Sequence, residues 1–379
     1  MCRMKGINIK MRTLSTKPCE DGFYMPAEFS EHMATLIFWP ERRDVWRDGA
    51  RPVQKVIKEL ASIISKFEKV IIGVTRDEFL NARSMLPENI SVFEISYDDA
   101  WIRDTAPAFI TDGKELRGVD WEFNAWGGLN GGSYFPWMLD NIVPQKVLEW
   151  FHADRYKASI TLEGGAIQVD GEGTLIAIKE CILNPNRNPD MNQAEVEQML
   201  YDYLGIKKII WLEKGLYLEE NNGHVDNMCS FIRPGEVFLA WTDNANDPQY
   251  EISHNAYEIL SKSVDAKGRS IRVRKLKLPE PLFITEEEAG GIELSEYALP
   301  RVKGDRLPAS YLNFYFVNGG VIVPAFDCAE DEIALTQFKE VFVGRAVIQL
   351  NVREILLGGG GLHCMTMQVP MCNSTKDIL

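Results

Sequence analysis

The sequence predicts an α/β fold, because segments with helical periodicity alternate with short β-rich runs along all 379 residues. The clearest helical stretch, VQKVIKELASIISKF at 53–67, places its aliphatic side chains on one stripe. Further helices are expected near residues 77–86, 143–152, 192–204, 249–264 and 331–342. The strands expected between the helices lie at 69–74, 91–95, 173–178, 207–212, 237–241, 270–278, 314–326 and 346–351.

No Pro- or Ser-rich linker divides the chain, so we expect one domain over residues 19–379. Residues 278–310, which contain several prolines and the acidic run TEEEAGG, are expected to form a long loop. Residues 1–18 contain five basic and no acidic residues and lack the apolar segment of a secretory signal. We expect a short disordered extension there and a cytoplasmic protein, with an organelle transit peptide as the alternative.

The acidic composition bears on the class of partner. Lys and Arg together number 41 and Asp and Glu 55, which gives a formal net charge of −14. This charge argues against non-specific nucleic-acid binding and favours a small cationic partner. No uninterrupted apolar run reaches the roughly 18 residues that would predict a membrane span. The seven cysteines include no CxxC pair, which indicates free thiols in a reducing compartment.

Six islands rich in glycine or acidic residues lie mostly beside the expected strands, where catalytic groups usually occur. They are WIRDTAP (101–107), FNAWGG (123–128), LEGGAIQVDGEG (162–173), NNGHVD (221–226), FVNGGVIVP (316–324) and GGGGLHC (358–364). In the last island Cys364 follows four glycines, which permit close approach of a ligand. Backbone N–H groups around it would favour the nucleophilic thiolate. The alternative is a flexible turn before an inert buried cysteine.

A cysteine nucleophile needs a partner for proton transfer, and the chain has five histidines. If NNGHVD is extended, His224 and Asp226 project from the same face and pair an imidazole with a carboxylate. The alternative is a capping turn with a surface histidine. His363 adjoins Cys364, but neighbouring strand residues point to opposite faces. We therefore expect His224 to be the proton-transfer group.

Asp104 in WIRDTAP and Glu163 in LEGG would each, taken singly, be a solvated acid in a turn. Together with Asp226, a thiol and an imidazole, they would make a strongly negative site. Such a site suits a planar delocalised cation, and guanidinium offers a fork of N–H donors that matches carboxylates. No CxxC or HExxH indicates zinc, and the glycine patterns of dinucleotide and P-loop sites are absent. Zinc, dinucleotide and P-loop chemistry are therefore not indicated.

Taken together, these islands resemble the agmatine deiminase family of the guanidine-modifying pentein superfamily. The resemblance runs from DGFYMPAEF (21–29) to GGGGLHCMTMQVP (358–370), and includes CILNPNRNP (181–189) and ASYLNFYFVNGG (309–320). It implies an α/β-propeller of five ββαβ-type units around a pseudo-fivefold axis, with the site in the central channel. It also implies no metal or organic cofactor and a homodimeric assembly.

The resemblance also implies a reaction and its chemical groups. Agmatine would be hydrolysed to N-carbamoylputrescine and ammonia through a covalent amidino-cysteine, as a step of polyamine (putrescine) biosynthesis. Cys364 matches the family nucleophile, His224 the general acid and base, and Glu163 the acid that orients His224.

The remaining matches concern substrate binding. Asp104 and Asp226 match the acids that grip the guanidinium, and Trp101 resembles the aromatic residue that lines the substrate channel. The sequence also departs from the family pattern. Ala106 replaces a glycine after the RDT motif, and Gly361 and Leu362 replace Asn and Ile before the nucleophile. Residues 365–368 read MTMQ where ITQQ is usual.

Two other functions remain open from the sequence. A deiminase of free arginine would need a cation for the α-carboxylate, and Arg103, Arg187 and Arg233 are the candidates. A deiminase of peptidyl arginine is the related alternative. A non-catalytic agmatine- or polyamine-binding protein is the other function, suggested by the altered residues near Cys364.

Overall fold

The computed structural model of the protein describes residues 11–375. In chain order its strands are β1 (Thr13–Leu14), β2 (His32–Phe38), β3 (Lys69–Val74), β4 (Ser91–Glu94), β5 (Ala108–Thr111), β6 (Leu116–Glu122), β7 (Asp154–Thr161), β8 (Ile167–Val169), β9 (Thr174–Ile178), β10 (Lys208–Leu212), β11 (Cys229–Arg233), β12 (Glu236–Trp241), β13 (Arg272–Lys277), β14 (Tyr315–Val317), β15 (Gly320–Ala325), β16 (Ala346–Asn351) and β17 (Met367–Pro370). Its α-helices are α1 (Arg51–Ile64), α2 (Phe79–Met85), α3 (Ile102–Thr105), α4 (Val143–Trp150), α5 (Lys179–Ile182), α6 (Gln193–Leu204), α7 (Gln249–Ser261), α8 (Glu286–Gly290), α9 (Glu330–Val341) and α10 (Arg353–Leu356).

The mixed α/β class is confirmed, and every helix and strand expected from the sequence has a counterpart whose ends differ by a few residues. The run 314–326 is two strands rather than one, because Asn318 and Gly319 form a hairpin turn between β14 and β15. Some strands were missed by the pattern analysis. All seven residues of β2 are buried, for example, so this strand lacks the alternation of a half-exposed one.

Within residues 11–375 the strands form five sheets, and each contains an antiparallel pair with a parallel strand beside it. The sheet orders are β1-β7-β6-β5, β10-β9-β8, β11-β12-β13, β14-β15-β16 and β17-β2-β3-β4. A parallel pair requires a crossover. Helices provide it here: α4 joins β6 to β7, α5 and α6 join β9 to β10, α7 joins β12 to β13, α9 joins β15 to β16, and α1 joins β2 to β3.

One sheet joins the two ends of the described chain. Strand β17 pairs antiparallel with β2, with Met367 opposite Leu36. Cys364 lies three residues before β17, so this pairing fixes the position of the thiol relative to the N-terminal half of the chain.

Residues 11–18, which the sequence analysis assigned to a disordered extension, instead contact the body of the protein. Strand β1 pairs parallel with β7, and the guanidinium of Arg12 binds the carboxylate of Asp154. The backbone N–H of Arg12 donates to the same carboxylate at 3.0 Å. Residues 1–10 lie outside the described part of the chain.

Among the helices of the described chain, none combines the length and the apolar character needed to cross a bilayer.

The N-terminus of α6 provides a test of local stability. Asn192 accepts a hydrogen bond from the backbone N–H of Glu195, and the Glu195 side chain accepts one from the Asn192 backbone. We expect Asn192→Ala to lower the free energy of unfolding by about 1 kcal/mol, because the capping acceptor for the Glu195 N–H is lost. Denaturant titration would measure this, with Asn192→Ser as the control that retains a cap. Equal losses in both variants would contradict the capping role.

Candidate active site

A cleft of about 440 Å³ is lined by residues that are distant in sequence. Its lining includes Trp101, Asp104, Trp126, Tyr134, Glu220, Arg301, Gly358, Gly359, Gly360 and Cys364. A concave site with aromatic walls and several polar groups suits a small polar organic ligand. The long loop expected at 278–310 supplies part of one wall through Ala298, Leu299 and Arg301.

Four of the site residues expected from the sequence occupy similar places in four different sheets. Each lies three or four residues before the first strand of an antiparallel pair: Asp104 before β5, Glu163 before β8, Asp226 before β11 and Cys364 before β17. The structure brings these residues together with His224 in the protein interior.

Asp104 is held in the single-turn helix α3 and is buried. Its carboxylate accepts hydrogen bonds from the backbone N–H of Gly165 at 2.8 Å and the indole N–H of Trp126 at 3.0 Å. Burial raises the pKa of Asp104 above its ordinary value. Gly165 has to be a glycine, since a Cβ there would lie 2.6 Å from Nδ1 of His224.

His224 is fully buried and lies before the short 3-10 helix Val225–Asn227. His224 itself has extended backbone angles, but NNGHVD as a whole is not extended, because Asn222 and Gly223 have positive φ and a helical turn carries Asp226. His224 Nε2 lies 3.6 Å from Glu163 Oε2, and Nδ1 lies 3.9 Å from Asp104 Oδ2. Burial lowers the pKa of an imidazole, but Asp104, Cys181 and Glu163 outweigh it and raise the pKa well above its ordinary value. Neither ring nitrogen has a hydrogen-bond partner among the described residues.

Glu163 is paired with Arg187 in the interior. Arg187 Nε donates to Glu163 Oε1 at 2.6 Å, and the rest of its guanidinium binds Asn222 and the backbone carbonyls of Trp126 and Asn221. Burial opposes ionisation of Glu163, but the positive charges of Arg187 and His224 lower its pKa to about 2. Glu163 therefore stays ionised and available to His224. The sequence analysis included Arg187 only as a candidate for binding a substrate carboxylate.

The sulfur of Cys364 lies in a 3-10 turn, His363–Met365, and is buried. Its neighbours are Asp226 Oδ2 at 3.6 Å, Asn313 Nδ2 at 3.4 Å and the backbone N of Gly361 at 3.4 Å. Burial and the charges of Asp226 and Asp104 raise the pKa of the thiol well above its ordinary value. The free protein thus holds a neutral thiol at neutral pH.

His363 contacts the site in a way that its predicted strand geometry did not indicate. Its Nδ1 lies 2.9 Å from Asp226 Oδ2, and its Nε2 lies 2.9 Å from both carboxylate oxygens of Glu28. Burial opposes its protonation, but these two carboxylates raise the pKa of His363 above its ordinary value. His363 therefore anchors one oxygen of Asp226, while Asp226 Oδ1 is buried without a hydrogen-bond partner among the described residues.

The glycines before Cys364 are required by close packing against large side chains. A Cβ at Gly360 would lie 2.5 Å from the ring of Trp101, and one at Gly358 would overlap the ring of Trp46. The two tryptophan rings are 5.0 Å apart, and Trp101 Nε1 donates to Asp99 at 2.8 Å. The glycine run thus fixes Trp101 as a wall of the cleft.

Two further acids near the cleft were not singled out from the sequence. Glu220 lines the cleft and forms a two-pronged ion pair with Arg301, whose NH2 also donates to the Gly358 carbonyl at 2.6 Å. Glu219 is buried and accepts from Asn227 Nδ2 at 2.5 Å. Burial and the charge of Asp226 raise the pKa of Glu219 to about 8.

The three arginines considered for a substrate carboxylate do not line the cleft as the described residues form it. Arg103 is buried with its guanidinium 3.5 Å from Glu28, and Arg187 is paired with Glu163. Arg233 has a half-exposed side chain that donates to the Val341 carbonyl. The arginine that does line the cleft, Arg301, is already bound to an acid.

Two triads of buried side chains have the ligand types of a metal site among the described residues. They are Glu163 with Cys181 and His224, and Glu219 with His224 and Asp226, and the ligand atoms of each lie within 4.8 Å of one another. Both triads include His224, so a metal at either would remove this imidazole from proton transfer. The proximity of Cys181 to His224 was not expected from the sequence.

Comparison with known proteins gives consistent similarities. Residues 24–370 match the family described as Porphyromonas-type peptidyl-arginine deiminase. An agmatine deiminase from Pseudomonas aeruginosa is 49% identical over 363 residues, which cover 95% of this chain and 99% of the relative. The solved structure of Enterococcus faecalis agmatine deiminase is 43% identical with a TM-score of 0.92, covering 95% and 99% of the two chains. The solved structure of C. jejuni agmatine deiminase is 27% identical with a TM-score of 0.77, over 92% of this chain and 97% of that one.

The low pKa of Glu163 predicts an acid-dependent contribution to stability. Its folded-state pKa of about 2 lies below the ordinary 4.5, so the stabilisation is present above about pH 4.5 and is lost as the pH falls towards 2. We expect Glu163→Gln to be less stable than the wild type at pH 7 and to lose less stability between pH 4.5 and 2. Denaturant unfolding across this range would measure both, with the exposed Glu59→Gln as control. Parallel curves for Glu163→Gln and wild type would contradict the prediction.

Proposed function

The chain belongs to the agmatine deiminase family of guanidine-modifying penteins, and on this premise we propose that it hydrolyses agmatine to N-carbamoylputrescine and ammonia. The observation that carries the proposal is the meeting of one buried thiol with an imidazole and two incompletely neutralised carboxylates beside a small cleft. The groups of that site match the needs of a guanidinium: acids to bind it, a nucleophile for its carbon and a proton donor for its nitrogen.

Substrate binding follows from the charge distribution. The guanidinium binds between Asp104 and Asp226, beside the sulfur of Cys364, and the face of Trp101 packs on the cation. The butyl chain lies along the aromatic wall. The ammonium binds Glu220, which lines the same cleft.

The first half-reaction forms the covalent intermediate. As the cationic substrate enters, the thiol of Cys364 loses its proton to solvent, because the positive charge offsets the carboxylates that hold the thiol neutral. The thiolate attacks the guanidinium carbon, and the C=N electron pair moves to nitrogen. The imidazolium of His224 donates a proton to the departing nitrogen, the C–N bond breaks, and ammonia leaves. An amidino-cysteine cation remains.

The second half-reaction releases the product. His224, now neutral, takes a proton from water, and the hydroxide attacks the same carbon. The C–S bond breaks and releases the thiolate, and the hydroxyl proton of the product passes to solvent, where ammonia becomes ammonium. The thiolate takes back from solvent the proton that Cys364 lost when the substrate entered. Water and agmatine are thus converted to N-carbamoylputrescine and ammonium, with Cys364 and His224 regenerated. Glu163 orients His224 throughout, held in its ionised form by Arg187.

The family description names peptidyl arginine, so a deiminase of free or peptidyl arginine is the second candidate. The cleft favours agmatine over free arginine, because Arg301 is bound to Glu220 and the described lining holds no other arginine or lysine.

We propose the domain arrangement, cofactor requirement, assembly, location and pathway from the same family membership. Residues 19–379 would form one catalytic domain whose five sheets are arranged around a pseudo-fivefold axis, as five ββαβ-type units with the site in the central channel. The enzyme would act without a metal or organic cofactor, as a cytoplasmic homodimer that supplies polyamine (putrescine) biosynthesis.

The covalent route is tested by trapping. Protein mixed with agmatine and quenched in acid should carry an adduct with the mass of agmatine less ammonia, because acid stops the hydrolysis of the amidino-cysteine before the C–S bond breaks. Intact-protein mass spectrometry measures it, and Cys364→Ala is the control that should lack both adduct and ammonia release. Absence of both from wild type with agmatine, arginine and a peptidyl arginine would favour a non-catalytic agmatine- or polyamine-binding protein.

The role of Glu220 is tested with two substrates of equal chain length. We expect Glu220→Gln to raise KM for agmatine about 10-fold, the order expected for losing one charge-assisted contact. Butylguanidine lacks the ammonium, so its kcat/KM should change by less than about twofold. Steady-state ammonia release measures both. Equal losses for the two substrates would mean that Glu220 acts on the shape of the cleft and does not bind the ammonium.

A further inference from the structure

Asn313 is a buried residue beside the thiol that the sequence analysis did not single out. It lies two residues before β14, the first strand of an antiparallel pair. The other four sheets place Asp104, Glu163, Asp226 and Cys364 at comparable points, three or four residues before the first strand of their pairs. The β14-β15-β16 sheet thus contributes Asn313 to the same group of inward-facing residues.

The hydrogen bonds of Asn313 fix the direction of its amide. Oδ1 accepts from the backbone N–H of His363 at 2.7 Å, and a backbone N–H can only donate. The other end of the amide is therefore the NH2 group, which donates to Asn227 Oδ1 at 3.0 Å and lies 3.4 Å from the sulfur of Cys364, while Oδ1 lies 3.7 Å from the same sulfur. A donor is thus held against the sulfur by two independent contacts.

Gly361 provides a second hydrogen-bond donor to the sulfur, and its lack of a side chain leaves room for the Asn313 amide. Its backbone N–H lies 3.4 Å from the sulfur of Cys364. A Cβ at position 361 would overlap Asn313 Oδ1 and lie 2.6 Å from its Cγ. The φ of Gly361 is outside the left-handed region, so glycine is needed here for space and not for backbone conformation.

We propose that the amide of Asn313 and the backbone N–H of Gly361 form a two-donor site that stabilises the anionic sulfur of Cys364, and that Gly361 lacks a side chain in order to admit this amide. The proposal rests on the proposed role of Cys364 as nucleophile. It makes Asn313 a positioning residue that acts through the thiol.

The surroundings of the sulfur support this role. Burial, Asp226 and Asp104 raise the pKa of Cys364, whereas the hydrogen bonds from Gly361 and Asn313 lower it. Asn313 does not line the cleft itself but contacts the sulfur of Cys364, which does. The thiolate is needed twice in the proposed reaction, as attacking group and as leaving group. Loss of a donor should therefore lower kcat more than it raises KM.

The experiment measures thiolate formation without turnover. Free enzyme is alkylated with iodoacetamide across pH, and modification of Cys364 is followed by mass spectrometry. We expect Asn313→Asp, Asn313→Ala and Gly361→Ala to slow alkylation at pH 8 about 10- to 100-fold, the range for losing a hydrogen bond to a charged group. The pH midpoint should move upward, most in Asn313→Asp, which adds a negative charge. The exposed Asn89→Asp and the uncrowded Gly290→Ala are the matched controls.

A double variant tests the link between the two residues. If Gly361→Ala acts by displacing the amide, Gly361→Ala combined with Asn313→Ala should alkylate no more slowly than Asn313→Ala alone. Additive losses would overturn the steric part of the proposal. An unchanged pH midpoint in folded Asn313→Asp, even with a lowered Tm, would overturn the donor role.

Asn313→Asp matches the native shape and decides the question if Asn313→Ala does not fold. The outcome is also separable from that of the proposed function. A wild-type protein that turns over no guanidine would contradict the deiminase, whereas the alkylation profile would still report on the two donors.

Discussion

The burial of several carboxylates around one thiol is the constraint on which the rest of the structure depends. Ionised carboxylates in the interior are costly unless they are paired. Glu163 is paired with Arg187, and Glu28 with a histidine and an arginine. Asp104 accepts two N–H donors and lies 3.9 Å from the ring of His224, and one oxygen of Asp226 has no hydrogen-bond partner within the described chain. These two carboxylates can therefore accept hydrogen bonds from a cation, and a guanidinium provides both the N–H donors and the positive charge.

Close packing is the second constraint, and it explains the run of four glycines before Cys364, a composition usually associated with a flexible backbone. Gly358 and Gly360 lie directly against tryptophan rings, and Gly359 lies against the guanidinium of Arg301. A run of four glycines in a tight turn thus becomes one of the least adjustable parts of the cleft. The wall that holds the aliphatic part of a ligand is built on these contacts.

The sequence predicted the α/β class, the main helices and the group of five chemical residues around Cys364, because periodicity and short motifs are local properties. It did not predict the contacts that join Arg187 to Glu163, His363 to Asp226 and Asn313 to Cys364, since these partners are 24 to 137 residues apart along the chain. The glycine-containing island at 316–324 supplies a hairpin turn through Asn318 and Gly319. The residue that this sheet contributes is Asn313, just upstream of the island. Its position two residues before β14 was the sequence signal that could have identified it.

The pairing of β17 with β2 has a consequence for the order in which the site is assembled during translation. The acids Asp104, Glu163 and Asp226 leave the ribosome before Cys364, and the strand that completes the β2 sheet follows only after the thiol. Contacts between the two ends of a chain form late, because a long loop must first close. The segment that carries Cys364 also supplies His363, which binds Asp226, and the glycines that pack against Trp101, so the pocket and the thiol are completed together. Within residues 11–375, the strand that follows Cys364 is also the last to be synthesised, so the thiol is placed in its final surroundings only at the end of this part of the chain.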